Sequence, residues 1–126
     1  MVEKNGIYKC NVCGNVVEVI DAQKGDLFCC GEIMKLQKIS IMDAAQEKHV
    51  PVVEKEENKV KVKVGSIEHP MDKDHYIELI EVLANDRVIA SVHLKPEEKP
   101  EAEFCLSNTE GITVRAYCNL HGLWEA

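Results

Sequence analysis

The residues of this chain best suited to chemistry are its cysteines and histidines, and they are segregated. Cys10, Cys13, Cys29 and Cys30 fall in the first 30 residues, whereas His49, His69, His75, His93 and His121 follow later, with Cys105 and Cys118 among them. Clustered thiols in a cytosolic chain are metal ligands more often than disulfides. Sulfur in front and imidazole behind therefore point to two separate metal sites.

Cys10-x-x-Cys13 is a chelating turn: two intervening residues let both thiolates reach one ion, and Gly14 permits the tight backbone. Cys29 and Cys30 complete a set of four sulfurs that suits tetrahedral iron or zinc. A zinc ribbon or rubredoxin would carry a second Cys-x-x-Cys. Adjacent cysteines point apart, so the backbone must bend for both to share an ion, and an angularly distorted tetrahedron is expected. A redox-inert zinc staple stays open on spacing alone. A disulfide between neighbouring cysteines is disfavoured by ring strain.

Among the histidines, His49 precedes Val50-Pro51, His69 precedes Pro70, His75 follows Asp72-Lys73-Asp74, and His121 stands three residues after Cys118. Each lies in a segment that reads as a loop or strand end, so one end of a β domain can gather all four with the Cys118 thiolate. Five donors exceed a closed structural zinc site, and imidazole with thiolate suits iron or copper. On an octahedral iron they leave one position open for a small molecule, and a thiolate there pushes electron density toward the bound ligand. Glu47 and Lys48, just before His49, then acquire candidate roles. Lys48 would attract an anion and Glu47 would cap or protonate the open site; the alternative is a solvated surface pair.

The elements that must position these residues read as β. Lys59–Val64 alternates strictly between lysine and valine, the pattern of a half-buried strand. Ile112–Cys118 places Ile112, Val114, Ala116 and Cys118 on one face, Arg87–Leu94 follows an Asn85-Asp86 turn, and Ala102–Leu106 is a further short run. Tyr76–Leu83 also fits a helix, but its neighbours and short connections favour a strand. Strands at about ten-residue spacing suggest an antiparallel sandwich. Residues 1–38 form a different unit, with four of the seven glycines and balanced charge. Too small for a core of its own, it needs a staple. A boundary is expected near Lys38–Asp43, giving domains 1–38 and 39–126.

The chain has 126 residues, 45% of them hydrophobic and 29% charged, as in an ordinary globular protein. No apolar run reaches the about 18 residues of a membrane span, and the start, Met1 to Gly6, is polar and lacks a signal core. A cytoplasmic location is expected. A net charge of −7 argues against general binding to nucleic acid or anionic membrane, so any anionic substrate must be drawn in by a local positive site.

Five separated stretches, in order, resemble desulfoferrodoxin, the two-iron form of superoxide reductase. They are Tyr8-Lys9-Cys10-Asn11-Val12-Cys13-Gly14-Asn15, Cys29-Cys30-Gly31, Glu47-Lys48-His49-Val50-Pro51-Val52, His69-Pro70-Met71 and Tyr117-Cys118-Asn119-Leu120-His121-Gly122. The resemblance spans essentially the whole chain. It implies a small desulforedoxin-like domain followed by an immunoglobulin-like antiparallel β-sandwich, usually in a homodimer. It further implies an FeS4 iron on Cys10, Cys13, Cys29 and Cys30, and a second iron with His49, His69, His75 and His121 equatorial and Cys118 axial. The implied reaction is one-electron reduction of superoxide to hydrogen peroxide in oxidative-stress defence, with the electron returned by rubredoxin or a similar carrier. In the family the lysine matching Lys48 guides the anion and helps protonation, and the glutamate matching Glu47 ligates the oxidised iron. Leu79 stands where a tryptophan is expected and Leu123 where a histidine is frequent. His93 reads as a surface residue, Cys105 as a buried cysteine and Trp124 as packing.

Two other classes compete. A cupredoxin-like or rubredoxin-like electron carrier without superoxide chemistry would also use a few histidines and a late cysteine. The blue-copper form wants an axial methionine after His121, and no methionine follows it. A zinc-stapled interaction module explains the early cysteines and leaves the histidines without a task.

Overall fold

The computed structural model describes residues 2–41 and 46–126. The chain separates into two compact units, Met1–Lys38 and Ile39–Ala126. Of the stretch where a boundary is expected, Met42 and Asp43 lie outside the described residues.

In the first unit β1 (Ile7–Lys9) lies between β2 (Val16–Glu18) and β5 (Lys35–Leu36), both antiparallel to it. A separate hairpin joins β3 (Phe28–Cys29) to β4 (Glu32–Ile33). These strands are two or three residues long. The apolar cluster holds Tyr8, Cys10, Val19 and Met34, with a few half-buried neighbours. So little core leaves cross-linking to the sulfurs.

The second unit is a two-layer β-sandwich. After the short helix α1 (Gln46–His49) come β6 (Pro51–Glu56), β7 (Lys59–Val64), β8 (Ile77–Ala84), β9 (Arg87–His93), β10 (Glu101–Cys105), β11 (Thr113–Cys118) and β12 (Gly122–Glu125). One sheet runs β10-β7-β6 and the other β12-β11-β8-β9, all antiparallel. Mainly β architecture is thus observed, and the stretch expected at Tyr76–Leu83 is strand from Ile77 to Ala84. Asn85 and Asp86, at φ 52° and 58°, form the two-residue turn between β8 and β9; both positions need the left-handed region, which Asn and Asp tolerate.

The lysine–valine alternation of β7 sends Val60, Val62 and Val64 inward, where they meet Ile77, Ile80 and Val82 of β8, Phe104 of β10, and Val114, Ala116 and Cys118 of β11. Phase also corrects one expectation. Phe104 takes the inward position on β10, so Cys105, next along the strand, faces solvent and is exposed rather than buried. His93 is on the surface, as expected.

Register brings the functional segments to one end of the sandwich. Pro51 pairs with Val64, so the start of β6 lies beside the end of β7. Cys118 pairs with both Ile77 and Gly122, so the end of β11 meets the starts of β8 and β12. A register shift between Tyr117 and Cys118 marks a bulge there, a device that re-aims a side chain. Among the described residues no helix is long and apolar enough to cross a membrane.

Candidate metal centres

The four early cysteines gather in the first unit with their sulfurs within 4.8 Å of one another. Cys13 Sγ lies 3.6 Å from Cys29 Sγ, and Cys29 Sγ 3.9 Å from Cys30 Sγ. Neighbouring cysteines reach one point because they occupy different parts of a hairpin. Cys29 ends β3, whereas Cys30 and Gly31 form the turn with φ of 54° and 77°. Holding a cysteine in the left-handed region costs about 1–2 kcal/mol, a cost that a bound ion offsets. Gly14, at φ 84°, turns the chain after Cys13 and donates its N–H to the Cys10 carbonyl at 2.9 Å.

These thiols do not titrate alike. The Cys13 backbone N–H, 3.5 Å from Cys10 Sγ, lowers the Cys10 thiol to about 7. Cys30 is pushed up to about 12, first by the Cys13 sulfur and then by Cys29, and Cys29 is raised by the same kind of crowding. Crowding of the sulfurs thus resists negative charge at Cys29 and Cys30. A cation among the sulfurs removes that resistance.

At the end of the sandwich His49, His69, His75, Cys118 and His121 bring one donor atom each within 4.8 Å of all the others. The imidazoles form a closed cycle of edge-to-face neighbours. His49–His69, His69–His75, His75–His121 and His121–His49 have ring centroids 4.6, 4.8, 4.9 and 4.9 Å apart, with interplanar angles of 74° to 89°. His49 and His75 stand across the cycle at 6.5 Å. His69 Nε2 lies 3.2 Å from His49 Nε2, which lies 3.1 Å from His121 Nδ1. Cys118 Sγ is 3.9 Å from His121 Nδ1.

The donor set fits a metal ion. His75 Nε2 is buried and has no hydrogen-bond partner among the described residues. His69 Nδ1 meets the Pro70 carbonyl at 2.7 Å; a carbonyl only accepts, so Nδ1 carries the hydrogen and Nε2 offers its lone pair to the centre. Burial, first of all, lowers His69 to about 4, and burial also lowers His75. Both are thus kept as neutral ligands. Burial pushes the Cys118 thiol up, while the amides of His121 and Leu120 act the other way by donating to its sulfur. Four imidazoles and a buried sulfur converging on one point form a donor set that a cation would satisfy.

Glu47 and Lys48 are exposed on α1, immediately before the buried His49. The positive charge of Lys48 reaches the cycle: it is among the influences that lower His75. Leu79 and Leu123 stand outside the donor group, each opposite Tyr117 in the register.

Two supports have contacts that sequence reasoning does not reach, although Trp124 packs as expected. Asn119 donates from Nδ2 to the Asp74 carbonyl at 3.0 Å and accepts the Tyr76 N–H on Oδ1 at 2.9 Å. It thereby ties the turn bearing Cys118 and His121 to both neighbours of His75. Trp124, 1% exposed, stacks on His49 with centroids 4.7 Å apart and donates its Nε1–H to the His121 carbonyl at 3.1 Å. Its packing thus holds two of the five donor residues. An asparagine after a cysteine was the available signal for the first, and a lone tryptophan three residues past a histidine for the second.

Comparison with known proteins agrees with this geometry. The family model Desulfoferrodoxin matches residues 41–126, and Desulfoferrodoxin, N-terminal domain, matches residues 2–37. The desulfoferrodoxin of Nitratidesulfovibrio vulgaris is 56% identical over 120 residues, covering 95% of this chain and 94% of that protein. The crystal structure of the superoxide reductase from Treponema pallidum superposes with a TM-score of 0.75 at 29% identity, covering 98% of this chain and 99% of the other. A one-iron superoxide reductase from Giardia intestinalis superposes at 0.57 with 31% identity, over 64% of this chain and 95% of its own. The four-cysteine group and the group of four histidines with one cysteine correspond to the two iron sites of the family. With both family models matched in order and a relative of this identity covering nearly its full length, the chain belongs to the desulfoferrodoxin family.

Proposed function

We infer that this protein is a superoxide reductase, converting superoxide to hydrogen peroxide by one electron and two protons. The observation that carries the reading is the gathering of four imidazoles and one buried cysteine sulfur within 4.8 Å at one end of the sandwich. When bound by these five donors, iron supplies the single electron that the reduction takes. The chain's own residues do the rest.

We propose that His49, His69, His75, His121 and Cys118 hold this iron, and that Cys10, Cys13, Cys29 and Cys30 hold the second. The four histidines are kept in a fixed cycle by Trp124, Asn119 and the Pro70 carbonyl. Lys48 Nζ draws the anion across a protein of net charge −7 and offers a proton where negative charge develops. Glu47 is the carboxylate that would ligate the iron in its oxidised state. The two units act as separate domains, 1–38 for the sulfur site and 39–126 for the reaction.

The partners proposed are superoxide and rubredoxin or a similar small electron donor. A cytoplasmic setting is supported by six free cysteines, which a reducing compartment preserves. A homodimer is supported by the apolar side chains Val12, Ile20, Phe28 and Ile33, which the first unit leaves exposed. Neither nucleic acid nor membrane is proposed as a partner. Turnover tests the function: iron-loaded protein, reduced rubredoxin and a superoxide source should oxidise rubredoxin and yield peroxide in step. Rubredoxin that stays reduced while superoxide decays at its spontaneous rate would refute the reading.

A further inference from the structure

We propose that Gly65 and Ser66 are positioning residues for the reaction, clamping the backbone of Glu47 and Lys48 and so fixing where Lys48 presents its charge. The proposal rests on the role given to Lys48 above. Both side chains of the pair are exposed, so their orientation depends on the main chain beneath them. That main chain is gripped at one point. The Glu47 carbonyl accepts the Ile67 N–H at 2.9 Å and the Ser66 hydroxyl at 3.1 Å. Gly65 is buried against the same peptide. A Cβ at that position would stand 2.6 Å from the Glu47 oxygen and 2.8 Å from the Lys48 carbonyl carbon, both backbone atoms that cannot swing aside.

The clamp is coupled to the metal centre. The Val64 carbonyl, just before Gly65, accepts the His69 N–H at 2.9 Å. On the other side Val50 donates to Gln46 at 2.9 Å, closing the turn that carries Lys48 and His49. One short connection, residues 64–69, therefore delivers a histidine to the cycle and holds the Glu47–Lys48 peptide beside it. A lysine on a flexible stem gains direction only from its Cα position. A drift of that Cα weakens both the attraction of an approaching anion and the chance of a proton transfer in line.

The test compares Ser66→Ala, Ser66→Thr, Gly65→Ala, Lys48→Ile and the Ser66→Ala/Lys48→Ile double variant, each iron-loaded and pre-reduced. Two quantities are read: the rate of reaction with superoxide at low and moderate salt, and hydrogen exchange of the Ile67 amide and of residues 46–50. Ser66→Ala should speed exchange, slow association about two- to fivefold at low salt and flatten the salt dependence. Ser66→Thr, which keeps the hydroxyl, should restore both. Gly65→Ala should do more, and the double variant should be no slower than Lys48→Ile alone. Faster exchange in Ser66→Ala with an unchanged rate and salt slope would overturn the proposal, as would a double variant whose losses multiply. An unchanged rate in Lys48→Ile would instead sink the reading of Lys48 on which the proposal rests.

Discussion

Removing the ammonium of Lys48 should change how fast the protein captures its anion more than how the captured anion reacts. In Lys48→Ile the association rate with superoxide should fall about tenfold at low salt and lose most of its salt dependence, as stopped-flow at two ionic strengths would show. A second prediction concerns His69. Its folded pKa is about 4 against an ordinary 6.5, so between those values the unfolded chain binds a proton that the folded chain refuses. The neutral side chain's contribution to stability is complete above about 6.5 and is lost as pH falls toward 4. His75, lowered by the same burial, adds in the same direction. The urea midpoint of the metal-free protein should therefore be lower at pH 5 than at pH 7, and equal midpoints would contradict this. At this scale the donor residues were legible, because metal chemistry restricts ligands to few residue types and their spacing survives in the sequence. Asn119 was not, and Trp124 was legible as packing but not in what it packs against, since an amide that bridges two loops and a ring that stacks on an imidazole depend on tertiary neighbours. Cys105 was misread because a lone cysteine gives no phase; Phe104 sets it.

The turns and strand ends that hold the donors are predicted to matter as much as the donors. Asn119→Ala removes the two side-chain bonds that tie the Cys118–His121 turn to the neighbours of His75, leaving the Asn119 N–H to the Tyr76 carbonyl at 3.2 Å. It should cost about 1–3 kcal/mol of stability and speed chelator-driven loss of iron by about tenfold or more. Urea unfolding and release kinetics would check each, and unchanged release would show that the turn is held by other means. Deep in the sandwich, Ile80 is fully buried, and Ile80→Ala should cost about 2–5 kcal/mol by the same urea assay. Strands with strong alternation, such as β7, were legible from the sequence. The ambiguous β8 yielded only to its neighbours, because Ile77, Ile80 and Leu83, spaced three apart, also fit a helix. The two- and three-residue strands of the first unit lie below any periodicity, and the four-residue helix α1 offers a single turn. What fixes them is the sulfur cluster and the register of the sandwich.

For the whole molecule the division of labour between two iron sites is the claim most open to dissection. Cys13→Ser should abolish binding at the sulfur site yet leave single-turnover superoxide reduction by the pre-reduced second site, with iron content confirming one ion lost. Loss of that turnover with the second iron still bound would refute separability. The net charge of −7 belongs to the same scale: a protein of that charge needs a local positive site, the role proposed for Lys48, to draw in an anion. The family and both metal-binding units were legible because five motifs persist in order. How two copies would pair in the proposed homodimer was not, because an interface is a property of surfaces that spacing does not encode. The central claim, reduction rather than dismutation, is tested most directly by product stoichiometry in a single turnover. Iron-loaded, pre-reduced protein mixed with a limiting pulse of superoxide should give one peroxide per superoxide, one oxidised iron, and no oxygen beyond the spontaneous background. Half a peroxide and half an oxygen per superoxide, with the iron still reduced, would contradict it.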